Sequence, residues 1–213
     1  MRVLLTAFEP YAEWPTNSSW LALVEVLKHR TPSANLTTRR YPVDFERLQE
    51  LLNRDLAQGY DAVLHLGQAP GAPVIRLESF ALNIGGPVYG DSQLTKPLIP
   101  HGPAAYRSLM PLDRWHQLLL RQSIPAQISY HAGTYLCNAI MYLTHHWLAE
   151  RGQNIPVGFI HLPLATSQVV DHLQAWASLP VTTLAQAITC VLDDMVATHA
   201  RLGSAWASPP DLA

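Results

Sequence analysis

The chain has 213 residues, of which 48% are hydrophobic and 14% charged, and its net charge is −2. This balance fits one packed globular unit rather than a disordered chain. Without a basic block there is no positive field for nucleic acid, so none is expected as a partner. No apolar run reaches the roughly 20 residues of a membrane span, and the stretch after Met1 is too short for a signal-peptide core. We therefore expect a cytoplasmic chain with no membrane partner. Cys137 and Cys190 are the two cysteines, far apart in a chain that needs no staple, and read as free thiols. The ten histidines fall mostly as singles, so no metal site is expected.

Along the chain, strand-like and helix-like segments alternate. Residues 2–8 form an apolar run ending at Glu9-Pro10 and read as a buried strand. Asn17, Ser18 and Ser19 offer helix caps before the apolar residues 20–27. Residues 36–43 read as a second strand. Asp44 caps an amphipathic helix from Phe45 that ends at Gly59. Residues 61–67 form a third strand, and 74–84 look extended. Residues 85–103 hold four glycines and four prolines, a long irregular stretch of the kind that is often functional or mobile.

Helix is expected over 113–122, then a short strand over 126–130. A second helix follows Ala132-Gly133-Thr134 and runs to about Glu150. Residues 156–162 form another strand, and Thr183 caps a last helix ending near Gly203. This order predicts a three-layer α/β/α single domain over 1–203 with a mainly parallel twisted sheet. Residues 204–213 read as a frayed tail. Ligands of open α/β sheets sit beyond the carboxyl ends of the strands. That rule selects the loop after Phe8, Gly67-Gln68, the turn before Cys137 and the strand end carrying His161.

In Ala132-Gly133-Thr134-Tyr135-Leu136-Cys137-Asn138, Cys137 falls near a helix N-terminus. Unpaired N–H groups and the helix dipole there favour a thiolate and can hold an oxyanion. The plain alternative is a buried structural cysteine. His161 ends a strand at the ligand edge and is a candidate base, or merely a capped histidine. Glu78 lies in a largely apolar strand, where a carboxylate is costly unless paired. It orients a base, or pairs with Arg76 two residues before it. Cys190, among apolar neighbours, reads as core, and His65 as a satisfied core histidine. His145 and His146 read as surface or packing residues, and Trp14 and Trp20 as a possible subunit contact.

Five segments occur in order: Phe8-Glu9-Pro10-Tyr11, Gly67-Gln68-Ala69-Pro70-Gly71, Arg76-Leu77-Glu78, Ala132 to Asn138, and Gly158-Phe159-Ile160-His161-Leu162-Pro163. Together they resemble the pyroglutamyl peptidase I (pyrrolidone carboxyl peptidase) family of cysteine peptidases over nearly the whole chain. The resemblance implies a hydrolase without metal or cofactor that releases N-terminal pyroglutamate from peptides. It implies Cys137 as nucleophile, His161 as general base and acid, and Glu78 as third member of the triad. It implies that Phe8 and Tyr11 line the lactam-ring pocket and that Gln68 and Asn17 lie near the substrate. It also suggests a homo-oligomer.

The chain departs from the family pattern in several places. Ala12-Glu13 replaces Gly-Gly, and Ala72 stands where the family has arginine. The segment from Gly85 to Asp91 lacks the family's Arg-Ile-Pro. Two other readings stay open at this point: a related thiol amidase acting on another lactam or N-acyl amino acid, and a non-catalytic binding protein that keeps the fold.

Overall fold

The structure is a computed structural model and describes residues 1–29, 35–86 and 95–203. Three strands are continuous apolar runs: β1 (Arg2–Phe8), β3 (Ala62–Gln68) and β8 (Val157–Leu162). Every residue of β3 and β8, and all but the first of β1, is buried. Strands of this kind need cover on both faces, so they take the centre of the sheet. The polar β2 (Asn35–Tyr41), Asn-Leu-Thr-Thr-Arg-Arg-Tyr, can only be an edge. It ends two residues before the expected Val43.

The six-stranded sheet has the order β2-β1-β3-β8-β4-β7, with β4 at Ile75–Glu78 and β7 at Ala126–Ser129. Strands β2, β1, β3 and β8 are parallel. Strand β4 pairs antiparallel with β8 and parallel with β7. The expected mainly parallel sheet is present, but its last two strands run in reverse. This reversal brings the start of β4 to the edge where β1, β3 and β8 end.

Helices cover both faces, giving the three expected layers. Helices α1 (Ser18–His29), α3 (Leu112–Arg121) and α6 (Val181–Leu202) pack on one face, with Leu23, Trp115, Leu184, Ile188 and Leu192 in its core. Helices α2 (Phe45–Leu56) and α4 (Leu136–Ala149) pack on the other with Leu48, Leu52, Ile140 and Tyr142. Burying each such side chain stabilises the fold by about 1.5–3 kcal/mol. Asp44 caps α2 as expected, accepting the Arg47 N–H at 2.8 Å. Thr183 does not cap α6, which starts two residues earlier. The Pro180 carbonyl accepts the Leu184 N–H, and the fixed proline φ of −55° leads the chain into the helix.

Short pieces complete the edges: β5 (Phe80–Leu82) with β6 (Ala105–Arg107), and β9 (Leu164–Ala165) with β10 (Ser178–Leu179), separated by α5 (Thr166–Val169). Part of the 85–103 stretch, residues 87–94, and the tail 204–213 lie outside the described residues. Among the described residues no helix is long and apolar enough to cross a membrane.

Candidate active site

A cleft of about 380 Å³ opens where β1, β3 and β8 end, within the range of small-ligand sites. Phe8, Tyr11, Asn17, Gln68, Cys137 and His161 all line it. Glu78 stands behind the histidine.

The position of Cys137 follows from local rules. The loop before α4 turns through Gly133 at φ +80°, a left-handed conformation that a side chain would strain. Gly133 N–H donates to His131 Nδ1 at 3.2 Å, which fixes the turn. Helix α4 begins at Leu136 with no side-chain cap, so Cys137 is its second residue. The N–H groups of its first turn therefore have no intrahelical acceptor. Beneath the thiol lies Gly67. A Cβ there would meet Cys137 Sγ at 2.8 Å and Phe159 Cζ at 2.6 Å, so only glycine lets the helix start come down onto β3.

Gly67 is in register with His161 on β8, and His161 with Arg76 on β4. All three point to one face, because directly paired residues share a face. Glu78, two residues beyond Arg76, also shares that face and reaches His161 diagonally. Its Oε1 lies 2.7 Å from His161 Nδ1. Glu78 is fully buried, and its Oε2 has no hydrogen-bond partner. The alternative pairing with Arg76 is not formed: among the described residues the ion pair of Glu78 is with His161. Burial alone would lower the His161 pKa. The Cys137 thiolate reverses this by charge and hydrogen bond, and the Glu78 carboxylate adds to it, so the imidazole is raised to about 9. Cys137 and Glu78 thus both act on the imidazole of His161.

Two of the expected substrate residues have defined local roles. Asn17 is 2% exposed and caps α1. Its Oδ1 accepts from Ser19 N–H and Oγ, and its Nδ2 donates to the Glu9 carbonyl. The oxygen of the Gln68 side chain accepts from Ser18 N–H at 2.7 Å and from Gln168 Nε2 at 2.8 Å. Its Nε2 is left as a buried donor without a partner. Phe8 is 3% exposed and packs into the core as well as lining the cleft.

Other residues at the site had no clear signal in the sequence. Gln168, which orients Gln68, lies 100 residues away from it. Trp14 is 2% exposed and packs against His172 and Trp176, so it is a cleft wall rather than a subunit contact. Trp20 is half-buried beneath the Arg40 guanidinium. Arg76 also lines the cleft.

Three further histidines, His65, His145 and His146, and the second cysteine are structural. His65 bridges Thr6 and Thr144 at 2.7 and 2.9 Å. His145 is stacked on Tyr106, and His146 Nδ1 lies 2.9 Å from the Tyr106 hydroxyl. Cys190 is half-buried against the α6 core, where burial and the charge of Asp193 push its thiol pKa up.

Comparison with known proteins gives the family and the fold. The family model for pyroglutamyl peptidase matches residues 1–198. A pyrrolidone-carboxylate peptidase of Clavibacter michiganensis subsp. michiganensis is 32% identical over 209 residues, covering 95% of this chain and 97% of its own. One from Thermococcus onnurineus is 36% identical over 176 residues, 80% of this chain and 88% of its own. The crystal structure of pyrrolidone carboxyl peptidase from Pyrococcus furiosus superposes with a TM-score of 0.85 at 30% identity, covering 93% of this chain and 99% of that one. The fold, the cleft and the sequence match over nearly the whole chain lead to one conclusion: the chain belongs to the pyroglutamyl peptidase family.

Proposed function

We propose that this protein is a cysteine peptidase that releases N-terminal pyroglutamate from peptides, with Cys137, His161 and Glu78 as its triad. The observation that carries the reading is the buried Glu78–His161 contact of 2.7 Å beside a thiol at a helix start. The thiolate of Cys137 attacks the carbonyl carbon that joins pyroglutamate to the next residue. N–H groups of the first turn of α4 hold the oxyanion. His161, held as imidazolium, gives its proton to the departing amine, leaving a thioester. Water then attacks the thioester, with neutral His161 taking its proton, and pyroglutamate leaves as the thiolate re-forms beside the imidazolium.

Glu78 keeps the imidazole oriented and its charge compensated. Phe8 and Tyr11 flank the flat lactam ring, and the free Nε2 of Gln68 donates to the lactam carbonyl. Asn17 acts through the shape of the loop it caps. A reducing compartment such as the cytoplasm suits the free thiol. Self-association, part of the same reading, is tested by analytical ultracentrifugation.

The test of function is hydrolysis of pyroglutamyl-aminomethylcoumarin in reducing buffer beside the Cys137→Ala variant. Turnover that disappears in the variant supports the reading. No turnover, with a thiol that iodoacetamide labels no faster than free cysteine, refutes it.

A further inference from the structure

Arg76 lines the cleft and has no task in the reaction above. It occupies the same level of the sheet as Gly67 and His161 and the same face. The Cys137 thiol lies over Gly67, so Cys137 and Arg76 flank His161 from opposite sides. Its Nε is buried and has no hydrogen-bond partner. Among the described residues Arg76 has no ion pair either: Glu78 is committed to His161, and Glu13, which lines the same cleft, is exposed at its rim. A guanidinium partly withdrawn from water with an unused N–H is costly unless an acceptor arrives.

The direction of the cleft says which part of a substrate would supply that acceptor. Phe8, Tyr11 and Gln68 lie on the β1–β3 side, where the acyl group sits. His161 delivers its proton to the leaving amine, so the leaving residue lies beyond it, toward β4. We infer that Arg76 forms a subsite for a carboxylate carried by the leaving residue, which makes this enzyme selective for pyroglutamyl peptides with a negative charge directly after the scissile bond. A guanidinium fork matches a carboxylate in two parallel hydrogen bonds, which a neutral amide cannot satisfy equally. That carboxylate is either the free C-terminus of a pyroglutamyl dipeptide or the side chain of an acidic residue. The inference rests on the pyroglutamyl reading and goes beyond it to the leaving-group side of the site.

The test measures kcat/KM for four peptides by amine release: pyroglutamyl-alanine, its amide, and the amides of pyroglutamyl-glutamate and pyroglutamyl-glutamine. A charge-assisted hydrogen bond predicts that at least one charged peptide is favoured about tenfold over its neutral counterpart. Which pair shows the preference tells the α-carboxylate from the side-chain carboxylate. Arg76→Gln brings the ratio toward one, Arg76→Lys keeps part of it, and added salt compresses it in the wild type. A wild-type ratio near one, or a preference that survives Arg76→Gln, overturns the subsite while leaving the peptidase reading intact. Failure to cleave any of the four peptides refutes the peptidase reading, and the subsite falls with it. Should Arg76→Gln not fold, Arg76→Lys and the salt series on the wild type decide the matter by the same ratio.

Discussion

Replacing Glu78 by glutamine tests the triad at its least exposed member. Glutamine has nearly the same shape, and its oxygen still accepts from His161 Nδ1, so the ring keeps its orientation while the charge is lost. What is lost is the charge of the acceptor in a 2.7 Å hydrogen bond between fully buried Glu78 and His161, only 8% exposed. Taking about 1–1.5 kcal/mol for the difference between a charged and a neutral hydrogen bond, kcat/KM falls roughly 5- to 13-fold. The pH profile moves as well. The Glu78 carboxylate is one cause of the His161 pKa standing at about 9, so the basic limb of activity shifts to lower pH in the variant. The stability effect has the same sign. A raised histidine pKa stabilises the fold fully below its unfolded value of 6.5, and this is lost as pH rises through about 9. Glu78→Gln therefore narrows that window from above. The assay is pyroglutamyl-aminomethylcoumarin hydrolysis between pH 5 and 10, with circular dichroism to confirm folding. Wild-type kcat/KM with an unmoved basic limb would refute the role assigned to Glu78.

Further predictions address the thiol, the glycine beneath it and two desolvated histidines. Cys137→Ala lowers turnover by about a thousandfold or more, the usual scale for a lost nucleophile. It also lowers the His161 pKa, whose main raising cause is the thiolate, and NMR titration of the imidazole would show this. Gly67→Ala forces a methyl group against Cys137 Sγ and Phe159, costing about 1–3 kcal/mol by overpacking. It lowers the melting temperature and cuts activity more than stability; full activity would contradict the close approach. His65 is buried and His145 half-buried with its Nε2 enclosed, and desolvation lowers their pKa values to about 3 and 4, holding both neutral. Unfolding exposes groups that bind protons below pH 6.5, so stability drops as pH falls through that range, by up to about 1.4 kcal/mol per pH unit for each histidine. Urea unfolding at pH 7, 6 and 5 measures the slope, and His65→Asn should flatten it.

The pairing of Glu78 shows where sequence reasoning stops. From its strand pattern, a buried carboxylate with a partner is expected, and Arg76 on the same face is the nearest cation. The structure gives the partner as His161, because β4 runs antiparallel to β8 and sets the two residues on a diagonal. No periodicity reports strand direction, since the alternation of side chains is the same either way. Gln68 is similar. Its place at the end of a strand is legible, but the orientation of its amide depends on Ser18 and Gln168, which lie 50 and 100 residues away.

Local chemistry suffices for much else. Continuous apolar runs mark β1, β3 and β8 as central strands, because burial on both faces requires them. Asp44 ahead of an amphipathic run marks the start of α2, since its side chain satisfies an orphan N–H. Gly133 two residues before Tyr135 marks a turn into a helix that presents Cys137 in its first turn. These signals are short-range and need no partner. Trp14 carries no such signal: a tryptophan beside a loop suits a surface contact as well as a wall, and only its packing against Trp176 and His172 decides between them. By itself the sequence determined the central strands, the main helices, the layers and the three reactive residue types, through backbone and burial rules that act within a few residues. Only the tertiary structure decided which side chains meet, because strand direction and register carry His161 to Glu78 on one side of the ring, Cys137 above Gly67, and leave Arg76 facing the cleft.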